Sequence, residues 1–248
     1  MDIISLTLAF IIAFGSMFIG AISGGVGLVL RPLLVFLGFP ALAVIASVRV
    51  ASIVGDLPGI IILHKRKHID WKLVKILVPP MFLGSIIAGI AILSVLKGHV
   101  EIVMGVILLL VGIILLSHKT IGLQEKKLHI TKTRHIIGFF GTMIVSFFNT
   151  IVGGMGPMFS SLYITLYGKD YIKASAIGKT TSYIGIGLAS ALFIIGKAVD
   201  WNLCVVVAIG LGLGSFLGTK FGLAQGNNWI RTLVLVVVFA SAIKLIFF

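Results

Sequence analysis

Acidic side chains are the scarcest resource in this chain: seven Asp and Glu stand against 20 Lys and Arg in 248 residues. Charged residues together make up 11%, where ordinary globular chains carry roughly a quarter. Apolar residues reach 59%, and the mean hydropathy is +1.21. That deficit excludes a soluble domain and places the chain in a bilayer. Cysteine occurs once, at Cys204 within an apolar run, so no internal disulfide forms and no zinc or iron–sulfur ligand set exists. Cys204 is expected as a small core residue. All six histidines (His64, His68, His99, His118, His129 and His135) fall in or beside polar loops. No HExxH, Gly-x-Ser-Gly or phosphate-cradling Gly-x4-Gly-Lys-Ser/Thr run appears, so no cofactor is expected and an intramembrane enzyme lacks a buried base beside a nucleophile. Any energy must then come from a gradient or a partner.

What the chain has instead is long apolar runs. Residues 43–63, 74–96, 100–117, 174–196, 202–224 and 229–248 each suit one crossing of a roughly 30 Å hydrocarbon layer. Residues 3–38 and 136–167 are too long for one crossing. Residues 1–22 lack a basic leader and a small-residue cleavage site, so they are expected to stay.

The excess positive charge resembles a nucleic-acid signature until it is mapped. Lys65, Arg66, Lys67, Lys72 and Lys75 share one loop and its flank, and Lys119, Lys126, Lys127, Lys132 and Arg134 share another. These read as cytoplasmic loops, with attraction to anionic lipid and no nucleic acid partner. The chain therefore divides into a first half, 1–117, a cytoplasmic linker, 118–135, and a second half, 136–248.

The halves repeat. Ser23-Gly24-Gly25-Val26-Gly27 breaks the first long run, and Val152-Gly153-Gly154-Met155-Gly156 breaks the second, about 130 residues later. Ile69-Asp70-Trp71 returns as Val199-Asp200-Trp201, and Gly84-Ser85 as Gly214-Ser215. Each Asp suits a helix cap and each Trp an interfacial anchor. The expected fold is an all-α polytopic membrane protein of two homologous four-segment halves, each opening with a glycine-broken or re-entrant helix. With inverted halves, Lys169, Lys173, Lys220 and Arg231 fall inside and Lys197 outside; with parallel halves the assignments reverse. Four against one favours inversion.

Backbone that leaves the helix inside a bilayer survives only where it is buried or lines a wet cavity. Gly24, Gly25, Gly27, Gly153, Gly154 and Gly156 permit unusual torsions, and the helix starting at Pro157 offers free N–H groups to an anion. The bland alternative is that these glycines only let helices pack closely. Few charges lie within the spans: Arg31, Arg49, Asp56 and Lys179, with Glu101, Lys220 and Lys244 nearer the ends. Ionisable groups at that depth face a pathway or each other. Arg49 and Asp56 share a helix face, with Ser52 between them, and Pro58 frees a carbonyl one turn earlier. Lys179 opens a donor-rich patch with Thr180, Thr181 and Ser182. Arg31 either snorkels to the outer headgroups or faces inward. An Arg49–Asp56 or Lys179–Asp56 pair is the structural alternative to a binding site. Three deep bases and one deep acid describe a pocket for a small anion, with Asp56 a counter-ion or a proton-coupling carboxylate. Asn149, Thr150, Ser160 and Ser161 flank the second break as neutral donors.

The run Gly24–Pro32, the segments Ala43–Ser47 and Ala176–Thr180, the repeated Asp-Trp and the four-plus-four organisation resemble the sulfite exporter TauE/SafE family. The resemblance spans nearly the whole chain. It implies a transporter of small sulfur-containing anions in the cytoplasmic membrane, with a central site at the six glycines; Arg49, Lys179, Thr180 and Asn149 join it from the residues alone. The second half departs from the pattern, with Ser161 in place of the later proline and Met155 inside the glycine run. An anion channel shares these electrostatics. A homodimer is an open option.

Overall fold

A computed structural model describes residues 3–22, 24–95 and 131–247, together with 102, 103, 106, 107 and 128, and describes side chains as far as Ala224. Most of the segment 100–117 and most of the linker 118–135 lie outside the described residues. Among those described there is no strand. The helices are α1 (Ile3–Gly20), α2 (Val26–Phe36), α3 (Ala41–Gly55), α4 (Leu57–Lys65), α5 (Trp71–Ser94), α6 (Lys132–Ile151), α7 (Gly156–Tyr167), α8 (Tyr171–Ile195) and α9 (Trp201–Phe247).

Among the described residues five stretches are long and apolar enough to cross a membrane: Ile3–Gly20, Ala41–Lys65, Trp71–Ser94, Tyr171–Ile195 and Trp201–Ala224. Their outward faces carry large exposed apolar side chains such as Ile76, Ile87, Val205 and Ile209, which suits contact with lipid. This is a multi-pass membrane protein.

Helix starts recur at a constant offset. Val26, Ala41 and Trp71 open α2, α3 and α5, and Gly156, Tyr171 and Trp201 open α7, α8 and α9, each 130 residues later. The caps follow the same pattern. Asp70 accepts from the N–H groups of Lys72 and Leu73 at 3.1 and 3.2 Å, and Asp200 accepts from Leu203 at 3.1 Å. The halves differ in their central span. Span 41–65 bends at Asp56, because Pro58 offers no N–H to the preceding turn, whereas α8 carries Leu188 at the equivalent position and runs unbroken.

Equivalent helices run in opposite senses. Gly55 packs on Leu211 and Gly59 on Ser215, while Ser47 and Asp200 exchange hydrogen bonds of 3.1 and 2.9 Å. Residue numbers rise together along this contact, so α9 is parallel to α3–α4. Met81 packs on Gly185 and Leu93 on Gly196, so α5 is parallel to α8. The Lys169–Asp70 ion pair, at 2.9 Å, puts the start of α8 beside the end of α4. Buried only in part, Asp70 loses some hydration, but Lys169 and the two capping N–H groups outweigh this and hold its carboxyl below the usual range. Lys169 thus lies on the same face as the basic loop 64–73. This is the geometry that inverted halves require.

Each opening pair folds back on itself. Arg134 Nη1, at the start of α6, donates to the Leu166 carbonyl at the end of α7 at 2.9 Å, so both ends of that pair share a face. Only the second arm is short: α2 and α7 have 11 and 12 residues, about 16–18 Å. The first arms are not hemihelices, since α1 has 18 residues and α6 has 20. Gly210, Gly214 and Gly218 recur every fourth residue and seat α1 against α9, backbone to backbone, and Gly222 continues the row against the Ile22 side chain. The apolar runs 202–224 and 229–248 form one continuous helix, because Gly226, Asn227 and Asn228 weaken a helix without ending it as proline would.

Single cysteines at positions 66 and 169, with Cys204 replaced by Ala, are expected to react with an impermeant thiol reagent from one side of the membrane, and one at 198 from the other. Labelling of 169 together with 198 would refute the helix directions given above.

Candidate functional site

The two glycine breaks touch. Gly156 N–H donates to the Gly24 carbonyl at 3.3 Å, and a Cβ placed on Gly24 would lie 2.7 Å from the Gly156 Cα. One on Gly27 would lie 2.6 Å from the Gly153 backbone, and one on Gly154 2.6 Å from Leu28 N. Gly24, Gly153 and Gly154 also adopt φ of +73°, +75° and +73°, a region that side chains strain. Close approach is therefore the first function of these glycines. Beyond the break, α2 and α7 begin after Gly25 and Met155, neither of which can offer a side-chain oxygen as a cap. Asn149 braces the second break from inside, its Oδ1 accepting from Met155 N–H at 3.1 Å and its Nδ2 donating to Ser182 at 3.1 Å.

Three bases converge on this crossing. Arg31 is 2% exposed and does not snorkel; its Nη1 donates to the carbonyls of Thr150 and Ile151 at 3.1 and 2.8 Å, at the negative end of the α6 dipole. Arg49, 3% exposed, donates through Nη2 to Thr150 Oγ1 at 2.9 Å and Ser85 Oγ at 3.3 Å. The Nε of each arginine is buried without a hydrogen-bond partner. Lys179 Nζ donates to the Ala21 carbonyl at 3.1 Å and Ser215 Oγ at 3.3 Å, and pairs with Asp56 Oδ1 at 3.5 Å. The expected carboxylate pair therefore forms with Lys179. Arg49 is held by neutral oxygens instead.

These side chains surround a cavity of about 100 Å³. That volume holds several waters and hence an ion of a few heavy atoms. Gly24, Gly27, Arg49, Asp56, Asn149, Gly153, Gly154, Gly156 and Lys179 line it, as does Arg31. Gly25 and Thr180 do not. Gly25 faces a separate apolar groove with Ile12, Ile19 and Leu33. Thr180 follows Lys179 on a helix and so points about 100° away, into buried packing. Ser160 and Ser161 are likewise off the lining, whereas Ser52, Ser175 and Ser182 are on it.

One correspondence was legible and missed. Arg49 and Lys179 stand 130 residues apart, and so do their hydroxyl partners Ser85 and Ser215. Each half thus presents one base, steadied by a serine from the following span, at the same place in its own fold. The punctuation that marked the repeat also marked the site.

The family model described as "Sulfite exporter TauE/SafE" matches residues 8–245. Similar proteins include one named "Probable membrane transporter protein" from Haemophilus influenzae, 24% identical over 243 residues, or 98% of this chain and 94% of that one. Another, "Probable membrane transporter protein YfcA" from Escherichia coli K12, is 26% identical over 246 residues, covering 96% and 88%. No solved structure matches.

Gly24→Ala and Gly156→Ala are expected to lower the thermal midpoint of the detergent-solubilised protein by several degrees, since each forces the breaks apart. Gly15→Ala, where a Cβ meets nothing within 4 Å, should leave it unchanged. Equal midpoints for all three would show that the crossing does not hold the fold.

Proposed function

The chain belongs to the sulfite exporter TauE/SafE family, and we propose that it is a secondary transporter carrying a small sulfur oxyanion across the cytoplasmic membrane. The observation that carries this reading is the charge balance of the cavity. Arg31, Arg49 and Lys179 face one carboxylate, Asp56, which leaves two positive charges in excess among the described lining residues. A buried excess of that sign is costly unless an anion relieves it. Two charges and a cavity of about 100 Å³ suit a compact dianion such as sulfite or thiosulfate, or a short sulfonate, better than a bulky acid.

The planar guanidinium groups of Arg31 and Arg49, both on the cavity lining, supply charge-assisted donors. The starts of α2 and α7 add N–H groups and positive dipole ends, as broken helices do around anionic substrates. Two oppositely oriented halves, packed on each other along α1–α9, α3–α9, α5–α6 and α5–α8 around the glycine crossing, supply the inverted frame that alternating access uses, one set of helices rocking against the other around the ion. Asp56 sits at the Pro58 bend, where a small hinge motion changes its distance to Lys179, and the Asp56–Lys179 pair is the candidate for proton coupling. The alternative is an anion channel, which shares the electrostatics but conducts without saturable counterflow.

In proteoliposomes, Arg49→Ala and Lys179→Ala are each expected to reduce radiolabelled thiosulfate or sulfite uptake at least about tenfold, the effect of losing about 1.4 kcal/mol of binding. Their gel-filtration profiles should match the parent. Full transport by both variants would remove these residues from the site, and conductance without counterflow would favour the channel.

A further inference from the structure

The Lys179 ammonium is held as a metal cation would be held. Around its Nζ stand a helix-terminal carbonyl (Ala21, 3.1 Å), a hydroxyl (Ser215, 3.3 Å) and a carboxylate (Asp56, 3.5 Å). Gly59 closes the cage. A Cβ there would lie 2.5 Å from Ser215 Oγ and 2.8 Å from both Lys179 Nζ and Thr219 Oγ1, so the three polar atoms converge on that glycine. Thr219 is fully buried, and its hydroxyl has no hydrogen-bond partner. Carbonyl, carboxylate and two hydroxyls form a hard oxygen set of the kind that binds an alkali cation beside a broken helix.

The equivalent positions 130 residues away show the contrast. At the place equivalent to Lys179 stands Arg49, and at the place equivalent to Asp56 stands Ile186. Among the described residues the guanidinium has two hydroxyl partners but no carboxylate, and it cannot release a proton in a protein. The acid of the first half thus faces, across the halves, the one base of the pair that can deprotonate.

We propose that the Lys179 ammonium occupies a built cation site, so that the coupling ion of this transporter is a proton carried on Nζ and not sodium; this rests on the transport reading above. One N–H bond breaks per cycle. The proton passes to cavity water, leaving a neutral amine and an unbalanced Asp56 carboxylate, and reprotonation from the other face restores the pair. The charged groups that bear on this exchange are few. Asp56 faces Lys179 from the α3–α4 bend, Arg49 acts on Asp56 from α3, and Arg31 lines the same cavity from α2. From the end of α1 and from α9 the cage receives only neutral oxygens, those of Ala21, Ser215 and Thr219.

The test compares thermal midpoints in sodium, potassium and choline chloride for the parent, Lys179→Ala and Lys179→Ala with Asp56→Asn. The parent is expected to be indifferent to the cation. Lys179→Ala should gain a saturable, sodium-specific rise of several degrees, lost again in the double variant. Sodium-specific stabilisation of the parent, or a folded Lys179→Ala that ignores sodium, overturns the proposal. If Lys179→Ala does not fold, the parent decides in proteoliposomes loaded with radiolabelled thiosulfate, whose charge does not change near neutral pH. A pH gradient should concentrate it severalfold and a sodium gradient at equal pH should not; the reverse result overturns the proposal. Absence of thiosulfate counterflow at equal pH would count against the transport reading, while the cation comparison would still judge the cage.

Discussion

The meeting of two bare backbones at Gly24 and Gly156 is the constraint on which the rest depends. A bilayer interior tolerates an interrupted helix only if other protein groups take up the freed N–H and C=O groups. Here each interruption lies against the other, at a separation that a single methyl group would prevent. Because they meet, the C-terminal carbonyls of α1 and α6 turn toward the centre, where Ala21 receives Lys179 and Ile151 receives Arg31. The cations are therefore held at depth by the ends of helices that had to end there. Break and charge explain each other.

From that arrangement comes a division of labour between two similar halves. Each places a base on its long central span and a serine on the next, at equivalent positions. The first half adds a proline, which bends the span and sets Asp56 at the bend; the second has neither. The result is one base balanced by a carboxylate and two that are not. That asymmetry within a near-symmetric frame turns a packing motif into a site with a net charge, and it leaves one titratable pair beside two fixed cations.

Much of this was legible in residues. The paired glycine runs and the repeated Asp-Trp predicted the helix starts, because caps and breaks are local chemistry. Asp70 and Asp200 cap helices as their type and position required. The reading failed where a side chain's direction mattered. Thr180 and Gly25 belong to the right segments yet face away from the cavity, and Arg31 turns inward onto α6 when its distance from the chain's outer loop equally allowed a route to the headgroups. The length of the first arms was also misjudged, since a glycine marks where a helix stops and not how deep the stop lies.

By itself the sequence determined the membrane class, the repeated punctuation, the two glycine breaks and the excess of deep bases over acids, since each depends on composition or on spacing along the chain. Only the tertiary structure decided which base meets Asp56, that Arg31 serves the α6 terminus, and that Ser85 and Ser215 are the hydroxyls beside the bases. Those facts arise between segments more than 30 residues apart, where a side chain's partner is set by how helices cross in space. A pattern read along one dimension specifies which face a residue is on, but not which other face it meets.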